Sequence, residues 1–219
     1  MRELAPGVFQ LSGFPPNGIN VYVIGDVLVD AATRLAGRRI MRQIEGRSIT
    51  AHALTHSHPD HQGASHQICE KLGIPYWVGE RDVESAETGN FEQSANPLNR
   101  LIAGAWGGPG HPVARRLHEG DEVAGFQVLD VPGHSPGHVA YWRESDRVLI
   151  VGDVMNGMNL ITTIPGLHEP PKPFTPDPAR NRESIRKVAA LRPELVCFGH
   201  GPPFRDPDKL ARFADQLPA

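Results

Sequence analysis

Cysteine is scarce in this 219-residue chain: Cys69 and Cys197 are far apart, and each lies inside an apolar segment. That excludes a disulfide framework and predicts two buried, reduced thiols, neither with the local signature of a nucleophile. No apolar run approaches the roughly 20 residues of a membrane span, so no membrane partner is expected. Positive charge is not in excess. With 22 Lys and Arg against 25 Asp and Glu the formal net charge is −3, which argues against a general nucleic-acid binder and its basic face. The opening residues, Met1-Arg2-Glu3-Leu4-Ala5-Pro6-Gly7, lack the basic segment, apolar stretch and cleavage site of a secretory leader, so a cytoplasmic location is expected. No stretch has the low-complexity composition of a linker, and residues 1–219 are expected to form a single domain.

What is abundant points elsewhere. Twenty-three glycines and 21 prolines imply many turns between short elements, and 11 histidines invite a metal hypothesis. Apolar alternation predicts strands over 8–11, 19–24 and 27–30, then a helix over 34–44 and a strand over 49–55. A helix over 61–72, stopped by Gly73, and a strand over 75–78 follow. Residues 80–116 read as irregular apart from a helix over 80–87. Strands return over 123–131, 138–142 and 147–151. After a Pro-rich loop over 164–178 come a helix over 179–191, a strand over 194–198 and a short helix over 208–216. This order suggests helices packed against sheets.

The densest chemistry is His56-Ser57-His58-Pro59-Asp60-His61, four potential ligands within six residues at the end of a predicted strand. Residues two apart leaving a strand can face one side, and Pro59 stiffens the turn behind them. Three more candidates, Gly133-His134, Gly152-Asp153 and Gly199-His200, each follow an apolar strand. If those strands run side by side in one orientation, their ends share a sheet edge where loops converge. A single zinc takes about four ligands, so seven such groups suit two metals better than one.

In this order the motifs resemble those of the metallo-β-lactamase superfamily, with all seven family ligand positions filled, and the resemblance covers nearly the whole chain. It implies an α/β fold, a four-layer αββα sandwich with a metal groove at one edge of the two sheets. It also implies two divalent ions, zinc first with iron or manganese as alternatives. One would be held by His56, His58 and His134 and the other by Asp60, His61 and His200, with Asp153 bridging. The implied activity is hydrolysis of a small-molecule thioester, ester or lactone by a metal-bridging hydroxide that Asp60 positions, with Asp60 also able to shuttle a proton.

Within the superfamily, Asp153 stands where zinc β-lactamases usually carry cysteine or serine, which disfavours an antibiotic-degrading role. The chain resembles short glyoxalase II-like members, although only about eighteen residues follow His200-Gly201, too few for a glutathione-binding helical domain. Val154-Met155-Asn156-Gly157 lacks the tyrosine that homoserine-lactone lactonases often place after the bridging aspartate. A phosphodiesterase is disfavoured by the lack of exosite arms. The alternative from another reaction class is a mononuclear-iron oxidoreductase resembling persulfide dioxygenases. Outside the motif, His52, His66, His111, His118 and His168 read as surface or core-satisfied histidines. His138 could act behind the ligands, and Phe14, Trp106 and Phe174 could line a substrate pocket.

Overall fold

Strands that are apolar on both faces need a cover on each side, and that requirement sets the layers here. The structure, a computed structural model, describes residues 1–90 and 97–218. One sheet has seven strands in chain order: β1 (Arg2–Ala5), β2 (Val8–Gln10), β3 (Tyr22–Ile24), β4 (Val27–Val29), β5 (Ala51–Ala53), β6 (Tyr76–Gly79) and β7 (Arg115–Leu117). The other has five, formed by β8 (Glu122–Val123), β9 (Phe126–Asp130), β10 (Val139–Arg143), β11 (Val148–Gly152) and β14 (Leu195–Phe198), in the order β14-β11-β10-β9-β8. A separate ribbon pairs β12 (Asn156–Met158) with β13 (Pro165–His168).

Alternation assigns each side chain to a layer. Tyr22, Ile24, Val27 and Val29 of the first sheet meet Val128, Tyr141, Ile150 and Cys197 of the second in the core between the sheets. The residues between them point outward. Val23 and Leu28 pack with Ile40 and Ile68 of α1 (Gly37–Gln43) and α3 (Ser65–Leu72). Leu149, Val151 and Val196 pack with Ile185, Val188 and Leu210 of α6 (Pro178–Ala190) and α7 (Pro207–Asp215). The result is the αββα sandwich. The helices of the second outer layer begin where Asp177 and Asp206 accept from the backbone N–H of Arg180 and Lys209, each followed by a proline at the first helical position. Both thiols are buried, and burial raises each to about 12. Among the described residues no helix is long and apolar enough to cross a membrane.

Several expectations need correction. The helix expected over 61–72 is two, α2 (Pro59–Gln62) and α3, with the break at Gly63-Ala64, where Ala64 leaves the helical region and a Cβ on Gly63 would lie 2.4 Å from Arg34 N and 2.5 Å from Trp106 O. The strand over 123–131 is a hairpin, β8 and β9, turning at Ala124-Gly125, both with positive φ. In the stretch over 80–116 the helix expected over 80–87 is present as a 3-10 turn (Glu80–Asp82) running into α4 (Val83–Thr88), and the part read as irregular also holds α5 (Pro97–Trp106) and β7. Residues 91–96, within that stretch, lie outside the described residues. The strands feeding the motif are not all side by side: β11 and β14 are parallel neighbours, β9 is separated from β11 by antiparallel β10, and β5 belongs to the other sheet.

Candidate metal centre

The seven residues meet where β5, β9, β11 and β14 end. After β5 the chain bends at Thr55, passes His56 and Ser57 without regular structure, and is extended at His58. Pro59 then opens α2, placing Asp60 and His61 in its first turn, where the N–H groups of His61 and Gln62 donate to the His58 carbonyl. The glycines before the later ligands are spatial requirements. A Cβ on Gly199 would lie 2.0 Å from Asp153 Oδ1, and one on Gly152 would lie 2.6 Å from His138 Nε2 and 2.7 Å from Thr55 Oγ1. Gly152 also ends β11 with a register irregularity and φ +55, which turns Asp153 toward the histidines.

The geometry forms two triads around one carboxylate. Donor atoms of His56, His58 and His134 lie within 4.8 Å of one another, and so do those of Asp60, His61 and His200. Asp153 stands between the triads, its oxygens 3.5 Å from His61 Nε2, 3.7 Å from His134 Nε2 and 3.1 Å from His200 Nε2. Asp60 Oδ2 is 3.2 Å from His200 Nε2. The ring nitrogens turned away from this centre are occupied. His61 Nδ1 meets Asp30 at 2.9 Å, His134 Nδ1 meets Thr175 Oγ1 at 3.2 Å, and His200 Nδ1 meets the Gly18 carbonyl. The facing atoms are not: Nε2 of His56, His61 and His134 and Oδ1 of Asp153 are buried without a hydrogen-bond partner. An orphaned buried polar atom costs about 1–3 kcal/mol, so four converging ones mark a place built for cations. Imidazole and carboxylate donors suit zinc, iron or manganese.

Electrostatics sort the imidazoles. Burial, followed by neighbouring imidazoles, holds His56 and His134 well below the ordinary range. Burial also opposes charge on His61 and His200, but Asp153 outweighs it, with Asp30 helping at His61 and Asp60 at His200. His61 is therefore raised, and His200 lies at about 10. Burial opposes the carboxylates of Asp60 and Asp153 too, yet His200 and His61 hold both below the usual range. In protein stripped with a chelator, His61 and His200 should carry protons at pH 7 that they must lose to become ligands. Metal uptake at pH 7 is therefore expected to release about two protons per chain. Titration calorimetry in buffers of different ionisation enthalpy checks this, and no buffer dependence would contradict it.

Sequence reasoning missed three supporting residues. Asp30, at positive φ just after β4, accepts from Thr55 N and Thr55 Oγ1 as well as His61. Asp82, in a 3-10 turn over Glu80–Asp82, accepts from Ser57 N, Ser135 Oγ and Gly137 N. Asn20 donates to the carbonyls of Phe198 and Gly201 on either side of His200. His138 is buried and stacks on His56, with ring centroids 4.5 Å apart. His52 is core-satisfied, bonded to the Leu28 carbonyl and Ser65 Oγ. Phe14, Trp106 and Phe174 all line a groove of about 810 Å³ that has His58, Asp60, His134, Asp153 and His200 in its wall.

Comparison with known proteins bears on the family of the chain. The family model described as the metallo-beta-lactamase superfamily matches residues 14–200. The chain is 30% identical over 199 residues to the probable metallo-hydrolase YflN of Bacillus subtilis (strain 168), covering 81% of this chain and 75% of that one. It is 30% identical over 161 residues to a hydroxyacylglutathione hydrolase of Fuscovulum blasticum, covering 71% of this chain but only half (50%) of the relative. Among solved structures, TTHA1623 in a di-iron-bound form superposes with a TM-score of 0.64 at 28% identity, covering 93% of each chain. With the matched family model spanning all seven candidate ligands, the chain belongs to the metallo-beta-lactamase superfamily.

Proposed function

We propose that this protein is a dinuclear metal-dependent hydrolase acting on a small thioester, ester or lactone with an apolar acyl part. The observation that carries the reading is the pair of triads sharing Asp153 in the wall of a predominantly apolar groove. Bound divalent ions, zinc first, would supply Lewis acidity and lower the pKa of water from 15.7 to about 7. His56, His58 and His134 would hold one ion, Asp60, His61 and His200 the other, and Asp153 both. Asp60 has a further role open to it. Its side chain is more exposed than that of Asp153, 17% against 6%, it faces the groove, and it is kept ionised, so it can accept a hydrogen bond from a water and orient it. No serine or cysteine nucleophile is needed.

The groove selects the substrate. Phe14, Ile19, Trp106, Met158, Leu160 and Phe174 supply its apolar wall. Apart from the candidate ligands, Arg39 and Lys172 are its only charged lining residues among those described. The hydroxyacylglutathione hydrolases among the relatives support thioester chemistry. Because the chain spans about half the length of the one described above, glutathione itself is not part of the proposal. The di-iron form of TTHA1623 supports a two-metal reading and keeps iron beside zinc.

Elemental analysis of protein purified without added metal tests the centre. Two zincs, or a pair including iron or manganese, support the hydrolase, whereas a single iron per chain favours the oxidoreductase alternative and calls for an oxygen-consumption assay. A thioester series of rising acyl length tests the groove. Burying a methylene is worth about 0.8 kcal/mol, so kcat/KM should rise about threefold to fourfold per added CH2 until the groove fills. Trp106→Ala should flatten that slope, and a slope independent of chain length in the wild type would remove the apolar acyl part from the proposal.

A further inference from the structure

We propose that His66, Glu70 and His111 form an additional divalent-metal site that ties the segment following α5 to α3. His66 and Glu70 are one helical turn apart on α3 and so share a face. His111 reaches them from the segment leading to β7. Its backbone position is set independently of its ring: His111 N donates to the Ala86 carbonyl at 3.1 Å, Val113 N to Glu87 Oε1 at 3.1 Å, and Ala114 N to the Tyr76 carbonyl at 2.9 Å. The imidazole is thus delivered to α3 by a segment already pinned at His111 and just after it, in a T-shaped contact with the Tyr76 ring at 5.9 Å between centroids.

The donor spacing fits coordination. His111 Nδ1 lies 3.3 Å from His66 Nδ1 and 3.7 Å from Glu70 Oε1, and one donor atom from each of the three residues lies within 4.8 Å of the others. Nitrogen and oxygen ligands sit about 2.0–2.2 Å from zinc, which places the corners of a tetrahedral site about 3.3–3.6 Å apart. Within the main cluster the contacts of Asp153 with its three imidazoles span 3.1–3.7 Å, the same spacing. Two imidazoles and a carboxylate are a borderline donor set that selects zinc-like cations over magnesium or calcium. Glu70 is 64% exposed and the His111 side chain 13%, so the site is walled by the protein on one side and open to water on the other. Trp106 at the end of α5 lines the groove and its carbonyl accepts from Arg34 N, so the tethered segment, which follows it in the chain, continues directly from a wall of the groove.

The same 3.3 Å contact is also what a hydrogen bond between two neutral imidazoles would give, and the experiment separates the two accounts. Protein carrying its full resident metal complement is titrated with zinc chloride, and bound zinc per chain is counted in the wild type, His111→Ala and Glu70→Ala. The wild type is expected to bind one equivalent more than either variant. Its melting temperature should rise with added zinc, while those of the variants should not. Glu70 is exposed on a helix surface, so Glu70→Ala keeps the test valid if His111→Ala folds poorly. Equal zinc counts in the wild type and Glu70→Ala would overturn the proposal and leave a histidine–histidine hydrogen bond in its place. The readout is a difference in metal content, so it stands whether the main centre holds one ion or two and whatever its substrate.

Discussion

Asp153→Ala should lower hydrolytic activity by about a thousandfold or more and release at least one metal ion, while the protein elutes and folds as the wild type does. The size of the effect follows from position. Among the described residues, Asp153 is the one carboxylate that touches imidazoles of both triads, with contacts of 3.1–3.7 Å to His61, His134 and His200. Its removal leaves Asp60 as the only carboxylate among the donors. Two divalent cations would then face each other with half the anionic charge between them, and their repulsion in a buried site is strong. The fold should survive because Asp153 contributes no apolar surface to the core; the neighbouring Val151 and Val154 do that. Asp153→Asn keeps the shape and one acceptor but not the charge, so it should fall with Asp153→Ala if charge is what matters. Activity within tenfold of wild type in Asp153→Ala would remove it from the centre. Metal content and kcat measured on the same preparation decide the matter.

The contrast between what sequence reasoning reached and what it missed has a physical pattern. Central strands were legible because burial on both faces leaves runs such as Val148-Leu149-Ile150-Val151, where hydrophobicity alone marks the element. Of the missed strands, β1 and β7 are the two edges of the seven-stranded sheet. They carry Arg2, Glu3, Arg115 and Arg116, the charges that keep an edge from pairing with another chain and that also erase the apolar alternation. Helix α5 was hidden because Gly107-Gly108-Pro109-Gly110, directly after it, dominates the local composition.

The same division runs through the site. The seven candidate ligands stood out because several donors must crowd one point, which concentrates histidine and aspartate at strand ends. Their supports did not, because an aspartate that orients an imidazole or a backbone N–H needs only one position at the right distance, and nothing in its neighbours marks it. Asp30 was read as the last residue of a strand and Asp82 as part of a helix. Only the fold brings Asp30 to His61, thirty-one residues away, and Asp82 to Ser135, fifty-three residues away. His66 and His111 belong with them: singly each is an ordinary surface or core histidine, and it is the packing of the segment before β7 onto α3 that makes them a pair.

Asp82→Ala is expected to cost about 3–5 kcal/mol of stability and to weaken metal binding about 10–100-fold, although Asp82 is not one of the candidate ligands. Its buried carboxylate accepts three hydrogen bonds: Ser57 N at 2.9 Å, Ser135 Oγ at 2.8 Å and Gly137 N at 2.6 Å. Ser57 lies between His56 and His58, and Ser135 follows His134, so one side chain fixes both chain segments that supply the first triad. Gly137 is what allows the approach, since a Cβ there would lie 2.4 Å from Asp82 N. Truncation to alanine orphans two backbone N–H groups and a hydroxyl, and it frees the two segments to drift apart. A purely structural role predicts the stability loss alone. The discriminating control is Ile150→Ala in the core between the sheets, which should cost a comparable ~2–5 kcal/mol. Ile150→Ala makes no contact with either segment's hydrogen bonds and should keep metal affinity within a few fold. Urea unfolding of chelator-stripped protein gives the stability change, and competition against a chromophoric chelator gives the affinity. If Asp82→Ala and Ile150→Ala lose affinity equally, Asp82 is a packing residue; if only Asp82→Ala does, the carboxylate positions the triad.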